Sequence, residues 1–269
     1  MNGAPPSPLS IGVAGVAVLG PAIADWAAAR SLLCEPQRWT AAPTVVPAPA
    51  RLPPTERRRA GPGIKASVAV ADAACAMAGV DAAEPATVFA ASSSDPAICH
   101  AICEALATPE RLVSPTRFTN SVHNAAAGYW HIAVRGMQAS TSLAAYDASF
   151  AAGLLEAAAL CVSQAQPVLL VACDVPFPPP LHALRPIADV FACALLLRPR
   201  PDRWTLTIAT GRNESPTPVE PAALEALRRS VPAARALPVL QALARDAAAR
   251  IVLDDEHGFC LALQLEPAR

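Results

Sequence analysis

The chain opens its apolar patterning with Leu9 to Leu19, LSIGVAGVAVL, an uninterrupted run with two internal glycines. That pattern predicts a β-strand whose glycines let a neighbour come close. Asp25 to Leu33 predicts a short helix. From Glu35 to Gly63 prolines recur too often for regular structure, which predicts an irregular surface excursion. Lys65 to Gly79 has helical spacing with small apolar residues, and Ala86 to Ala91 predicts a strand. Ser92-Ser93-Ser94-Asp95-Pro96 supplies helix-capping residues and a proline for the first turn, opening a helix to about Ala107. A polar, aromatic-bearing loop, Ser114 to Asn124, then leads into a helix over Ala125 to Val134. A turn at Gly136 and a Ser/Thr-rich strand near Ala139 to Leu143 follow. The next helix, Ala148 to Val162, is polar only at Ser149 and Glu156, so it is expected to be buried all round. Val168 to Cys173, VLLVAC, lacks alternation and fits a strand covered on both faces.

Beyond a proline-rich loop, Pro176 to Pro180 and on through Leu181-His182-Ala183, Asp189 to Leu197 predicts an apolar strand. Trp204 to Thr210 is expected to pair with it as a hairpin. Two helices, Pro221 to Arg229 and Leu237 to Ala249, precede a hairpin of Ile251 to Leu253 with Phe259 to Leu265, its turn at Asp254-Asp255-Glu256-His257-Gly258. Strands alternating with helices are the grammar of a layered α/β domain. No internal repeat is present.

At 269 residues the chain can bury a large core as one domain. Hydrophobic residues make up 53 % and aromatic residues 4 %, with alanine filling the difference, so the helices should pack through small side chains. A net charge of −1 leaves no electrostatic footprint for nucleic acid or an anionic membrane. The stretch Ile11 to Ala24 is too short to span a bilayer. A soluble, cytoplasmic protein is expected. The eight cysteines lie mostly in apolar runs and read as reduced, buried thiols. Cys99 and Cys103 share a helical face, but His100 points elsewhere and no second cluster completes a ligand set, so no metal is expected. Arg57-Arg58-Arg59 is the only basic cluster. It reads as a solvated loop or as a docking patch for an acidic partner such as an acyl carrier protein.

Asn124, Ala127, Gly128, Ile132 and Gly136 resemble the N-x-x-A-G-x-x-x-I…G signature of β-ketoacyl synthases of the thiolase-like fold. In that family the signature precedes a small-residue strand, a sharp turn bearing the nucleophilic cysteine, and a buried helix. Laying Ser140-Thr141-Ser142 on that strand puts Ala144 on the cysteine, with about three residues missing between Gly136 and Ser140. The resemblance implies a thiolase-like α/β/α layering over residues 9–200, a single N-terminal-type half of a ketosynthase. Residues 35–63 form the excursion, and 201–269 a divergent, shortened hairpin-and-helix segment of the same domain. The chain looks most like the small synthase-like proteins of aryl-polyene-type pathways that are described as chain-length factors.

A condensing synthase needs a thiolate at the N-terminus of a buried helix, where backbone N–H groups stabilise the anion. Alanine at 144 offers no heteroatom, and the family's histidines and lysine belong to the second half that this chain lacks. The resemblance therefore implies a silent subunit, without cofactor, that pairs with a full-length β-ketoacyl synthase and shapes its acyl tunnel. Acyl carrier protein would be met through that partner. The implied interface residues are Phe118, His123, Asn124, Tyr129, Trp130, Met137, Ser142, Leu143, Ala144 and Tyr146. For the aromatic residues, ordinary core packing is the competing reading. A stand-alone acyltransferase or thioesterase built on Ser140, Thr141 or Ser142 with His123 as base is a second reading, although no Gly-x-Ser-x-Gly elbow is present. A module that binds acyl groups or carrier protein is a third. His131 and His182 have no partner at useful spacing, and Asp174, after a buried strand, reads either as a functional residue at a strand C-terminus or as a cap for the following loop.

Overall fold

A computed structural model of the chain describes residues 8–201, 203–254 and 259–267. The turn assigned to 255–258, with His257, lies outside the described residues. The strands are β1 (Leu9–Leu19), β2 (Ala86–Ala90), β3 (Ser140–Leu143), β4 (Val168–Asp174), β5 (Phe191–Arg198), β6 (Trp204–Arg212), β7 (Ala249–Asp254) and β8 (Phe259–Pro267). The helices are α1 (Trp26–Cys34), α2 (Pro54–Arg59), α3 (Pro62–Ala78), α4 (Pro96–Ala107), α5 (Pro115–Asn120), α6 (Ala125–Val134), α7 (Ser149–Gln164), α8 (Ala222–Ser230) and α9 (Leu237–Arg245).

All eight strands form one sheet in the order β3-β2-β4-β5-β1-β6-β8-β7. β2 is parallel to both β3 and β4, and every other pairing is antiparallel. The expected pairing of Asp189–Leu197 with Trp204–Thr210 does not form. β1, eleven residues long, inserts between them, pairing with β6 through its first half and with β5 through the rest. A strand apolar on both faces belongs in the sheet interior, where helices cover both faces, and β1 takes that central place. The β7–β8 hairpin forms as expected.

Alternation along β4 divides the core. Leu169, Val171 and Cys173 pack with α3 and α6, while Val168, Leu170 and Ala172 pack with α1, α7, α8 and α9. Two glycines permit the closest approaches. A Cβ on Gly15 would stand 2.1 Å from the Ala74 carbonyl oxygen of α3, and one on Gly153 of α7 would stand 2.7 Å from Ala90 Cβ.

Two other expectations need correction. Residues 35–63 are irregular for most of their length, but Arg57-Arg58-Arg59 sits on the short helix α2 rather than in a loop. α7 is not buried all round. Phe150, Leu154, Ala157, Ala158 and Cys161 are buried, Leu155, Glu156 and Ala159 are half-buried, and Val162 is exposed. A single sheet covers one side of a helix, and a second sheet is absent among the described residues. No helix among them is long and apolar enough to cross a membrane.

Candidate functional site

β3 ends the sheet, and its outer side is bare. Thr87 N–H donates to the Ala139 carbonyl and Ala91 N–H to the Leu143 carbonyl. Successive residues of a strand aim their backbone groups to opposite sides, so Ala139, Thr141 and Leu143 serve β2. The N–H and C=O groups of Ser140, Ser142 and Ala144 therefore face outward, with no partner among the described residues.

Directly after β3 the backbone bends into α7. Ala144 is exposed and Ala145 is still non-helical, and the reversal comes at Tyr146, whose φ is 48°. A non-glycine residue in the left-handed region costs about 1 kcal/mol and persists where its surroundings fix it. Those surroundings are specific. Ala145 N–H donates to Ser149 Oγ at 3.0 Å, and Ser149 Oγ donates to the Tyr146 carbonyl at 2.7 Å. The Arg185 guanidinium lies 3.9 Å from the Tyr146 ring centroid. Asp147 holds Arg185 on one oxygen and Arg235 on the other, and Arg235 also pairs with Asp254. Burial pushes the Arg235 pKa down, and the Asp147 carboxylate opposes the shift.

Ala144, the residue expected at the sharp turn, precedes by two the residue of positive φ, Tyr146, whose phenol is 56 % exposed. Neither residue carries sulfur. Sequence reading missed Arg185, Asp147, Arg235 and Asp254, which lie up to 107 residues apart; of these, only Asp147, beside Tyr146, gave a local signal.

The other expected site residues separate into two groups. Trp130 is wholly buried and Tyr129 nearly so, its hydroxyl donating to Asn120 Oδ1 at 3.1 Å; both are core residues with no surface to offer a partner. Phe118, Met137 and Asn124 are exposed, and Ser142 and Leu143 are half-buried on the edge strand. The signature divides in the same way. Ala127 packs into the core, whereas Asn124, Gly128 and Ile132, four residues apart, form an exposed stripe on α6. Asn120 Nδ2 donates to the Arg59 carbonyl at 3.0 Å, which ties the arginine-bearing α2 to α5. Arg59 also pairs with Glu56 on its own helix.

Among the described residues, no hydroxyl of β3 has a histidine as its hydrogen-bond partner. Ser140 Oγ is 2.8 Å from Thr87 Oγ1, and only Thr87, at 3.5 Å, approaches His131 Nε2. His123 Nε2 stands 3.3 Å from the Ala91 carbonyl. Burial pushes the Cys173 thiol up to about 12, which keeps it protonated. Asp174, at the C-terminal end of β4, accepts from Ser92 N–H at 2.8 Å, from Ser92 Oγ at 2.6 Å and from Ala233 N–H at 2.8 Å. Burial raises its pKa to about 6 against those donors. It clamps the β2–α4 connection to the C-terminal segment. No group of metal-ligating side chains occurs among the described residues.

Residues 27–259 match the family model described as Beta-ketoacyl synthase, N-terminal domain. No protein of curated function matches in sequence. Among solved structures, a chain of the ketosynthase (ApeO) in complex with its chain length factor (ApeC) from Xenorhabdus doucetiae is similar. It has a TM-score of 0.74 at 20 % identity, over 95 % of this chain and 99 % of that one. A β-ketoacyl synthase from Burkholderia phymatum STM815 superposes with a TM-score of 0.72 at 10 % identity, over 96 % and 99 % of the two chains. For the ishigamide ketosynthase/chain length factor the TM-score is 0.67 at 13 % identity, over 98 % and 100 %. The fold is thiolase-like.

Proposed function

The chain belongs to the β-ketoacyl synthase family, matching its N-terminal domain, and from that premise we propose that it is a non-catalytic subunit pairing with a complete β-ketoacyl synthase. One observation carries the reading: the strand-to-helix bend after β3 offers Ala144, Ala145 and the Tyr146 phenol and no thiol, beside a sheet edge that no described residue pairs with. A phenol at this bend has no neighbouring base to activate it, so no acyl-enzyme forms here. The scaffold keeps what pairing requires. Ser140, Ser142 and Ala144 offer backbone groups to a second strand, and Asn124, Gly128 and Ile132 offer an exposed helix face. Phe118 and Met137 add exposed apolar surface to the same region, and that surface would help to shape the partner's acyl tunnel in fatty-acid- or polyketide-type elongation of the aryl-polyene kind. Acyl carrier protein is met mainly through the partner, with Arg57, Arg58 and Arg59 as an accessory basic contact. The pair acts in the cytoplasm.

The test is co-expression with a full-length β-ketoacyl synthase from the same source, followed by size-exclusion chromatography and intact-mass analysis after exposure to acyl-pantetheine. The expected result is a one-to-one complex with acyl adduct on the partner alone. A stable monomer that ignores the partner, or an adduct on this chain, would overturn the reading.

A further inference from the structure

Between α8 and the irregular segment 39–43 lies an open cavity of about 430 Å³. Small-molecule sites occupy roughly 300–1,000 Å³, so the space is of ligand size. It stands where β1 ends and β5 begins: Pro21 follows β1 by two residues, Asp189 precedes β5 by two, and both line it. β1 and β4 are each antiparallel to β5, and β2 and β3 run parallel to β4. The cavity therefore lies at the end of the sheet where β2, β3 and β4 also finish, the end at which α/β sheets gather ligands. None of its lining residues belongs to the surface assigned above to the partner.

The walls define what can enter. Five of the eleven lining residues are alanine, and their short side chains leave the space open. Pro21, Trp39 and Leu227 are the buried ones and form the floor. Trp39 Nε1–H donates to the Pro21 carbonyl at 3.1 Å, so the indole has no donor left and meets the cavity as carbon. The one charged lining residue is Asp189. Its Oδ2 accepts the Thr44 N–H at 2.9 Å and its Oδ1 the Val190 N–H at 2.7 Å, which fixes the carboxylate and leaves each oxygen a lone pair for a further donor. Asp189 makes no ion pair among the described residues, and no lysine or arginine lines the cavity. A carboxylate without a counter-ion, beside an indole and apolar walls, complements a cation that carries an apolar body. The ammonium N–H groups bond the carboxylate, and tryptophan is the side chain that attracts cations most strongly. An anion would meet like charge with no basic group to offset it. We infer that this cavity binds a small organic ammonium ion with a compact apolar body, held by Asp189 and seated on Trp39.

The test uses three probes with one carbon skeleton and different head groups: 2-phenylethylamine, 2-phenylethanol and phenylacetate. Each is titrated into the full chain at pH 7 and low salt, with binding read by ligand-observed NMR. The amine is expected to bind at least about fivefold tighter than the alcohol, and phenylacetate most weakly. Added salt should bring the amine toward the alcohol. Ala226→Leu fills the cavity from an exposed position on α8 that leucine suits, and should abolish binding of the amine. Ala223→Leu takes its place if that variant does not fold. Asp189→Asn is expected to lower the amine to the affinity of the alcohol. Because Asp189 also holds two backbone N–H groups, the wild-type ratio of amine to alcohol decides should that variant not fold. The inference is overturned if the amine shows no saturable binding, if amine and alcohol bind equally, or if a folded leucine variant binds the amine as the wild type does. It also fails if the isolated chain self-associates and Ala226→Leu makes it monomeric, since a second copy then fills the space. No synthase enters the measurement, so its outcome is independent of the pairing proposed above.

Discussion

The sheet has two edges, and the molecule treats them differently. At the β7 edge Thr217 lies alongside Val252. Its N–H donates to the Val252 carbonyl at 2.9 Å, and its hydroxyl accepts the Val252 N–H at 2.9 Å. Arg250 and Glu214 place an exposed ion pair on the same flank. Unpaired strand edges invite other chains, and a loop plus charge is a standard means of refusing them. At the β3 edge no loop pairs among the described residues, β3 itself carries no charge and no proline, and Met137 just before it is 96 % exposed. A sequence that shields one edge with both a backbone contact and a charged pair does not leave the other bare by default. On the pairing proposed above, the bare edge is the one the partner covers.

The largest expected effect comes from exchanging the roles of the edges with proline. Ser142→Pro removes an N–H that the isolated chain does not use, so its stability should change by no more than about 1 kcal/mol. Association with the partner should weaken at least a hundredfold, measured by titration calorimetry. Val252→Pro removes an N–H that is in use and should destabilise the isolated chain by about 2–3 kcal/mol in chemical denaturation, with far less effect on partner affinity once folded. If both substitutions weaken pairing equally, the two edges do not differ in the way described.

Between the edges, Asp174 tests whether the C-terminal half of the sheet is clamped to the half that carries the site. Three donors converge on it, and asparagine would turn an N–H₂ toward one of them. Asp174→Asn is therefore expected to cost about 2 kcal/mol at pH 7. The pH dependence has a definite sign. Burial raises the folded-state pKa to about 6 from the ordinary value near 3.8, so the folded protein holds this proton more tightly than the unfolded chain does. The resulting stabilisation is complete below about pH 4 and is lost as the pH rises through 6, at most about 3 kcal/mol. Urea denaturation across pH 4 to 7 should show the gap between wild type and Asp174→Asn widening toward acid. A smaller loss, about 1 kcal/mol, is expected from Thr217→Val, which leaves the Val252 N–H without its acceptor.

How much of this could be read beforehand depends on range. β1, β2, β4 and α6 follow from local apolar pattern and capping residues, and their boundaries agree with the structure to within a residue or so. Strand order does not follow, because which neighbour β5 chooses depends on β1, more than 170 residues away. At the candidate site, strand, bend and helix start share small residues, and only backbone conformation distinguishes Ala144 from Tyr146, the residue of positive φ. Tyr129 and Trp130 show the same limit. Helical periodicity is weak in AAAGYWHIAV, apolar on every side, so burial is decided by the elements packed against it.

The smallest predicted effect is the most discriminating, because its sign should reverse between the free and paired states. Gly128 sits in the middle of α6, where glycine costs about 1 kcal/mol relative to alanine. A Cβ added there meets nothing within 4 Å, so nothing in this chain requires glycine. Gly128→Ala should accordingly stabilise the isolated protein by up to about 1 kcal/mol. If the partner's backbone packs against the α6 stripe, the same methyl group stands in its path and affinity should fall about tenfold. Stabilisation of the free chain together with weakened pairing would extend the bare region from the β3 edge onto the helix beside it. Stabilisation with unchanged affinity would confine the contact to the strand, leaving Asn124 and Ile132 facing solvent in the complex.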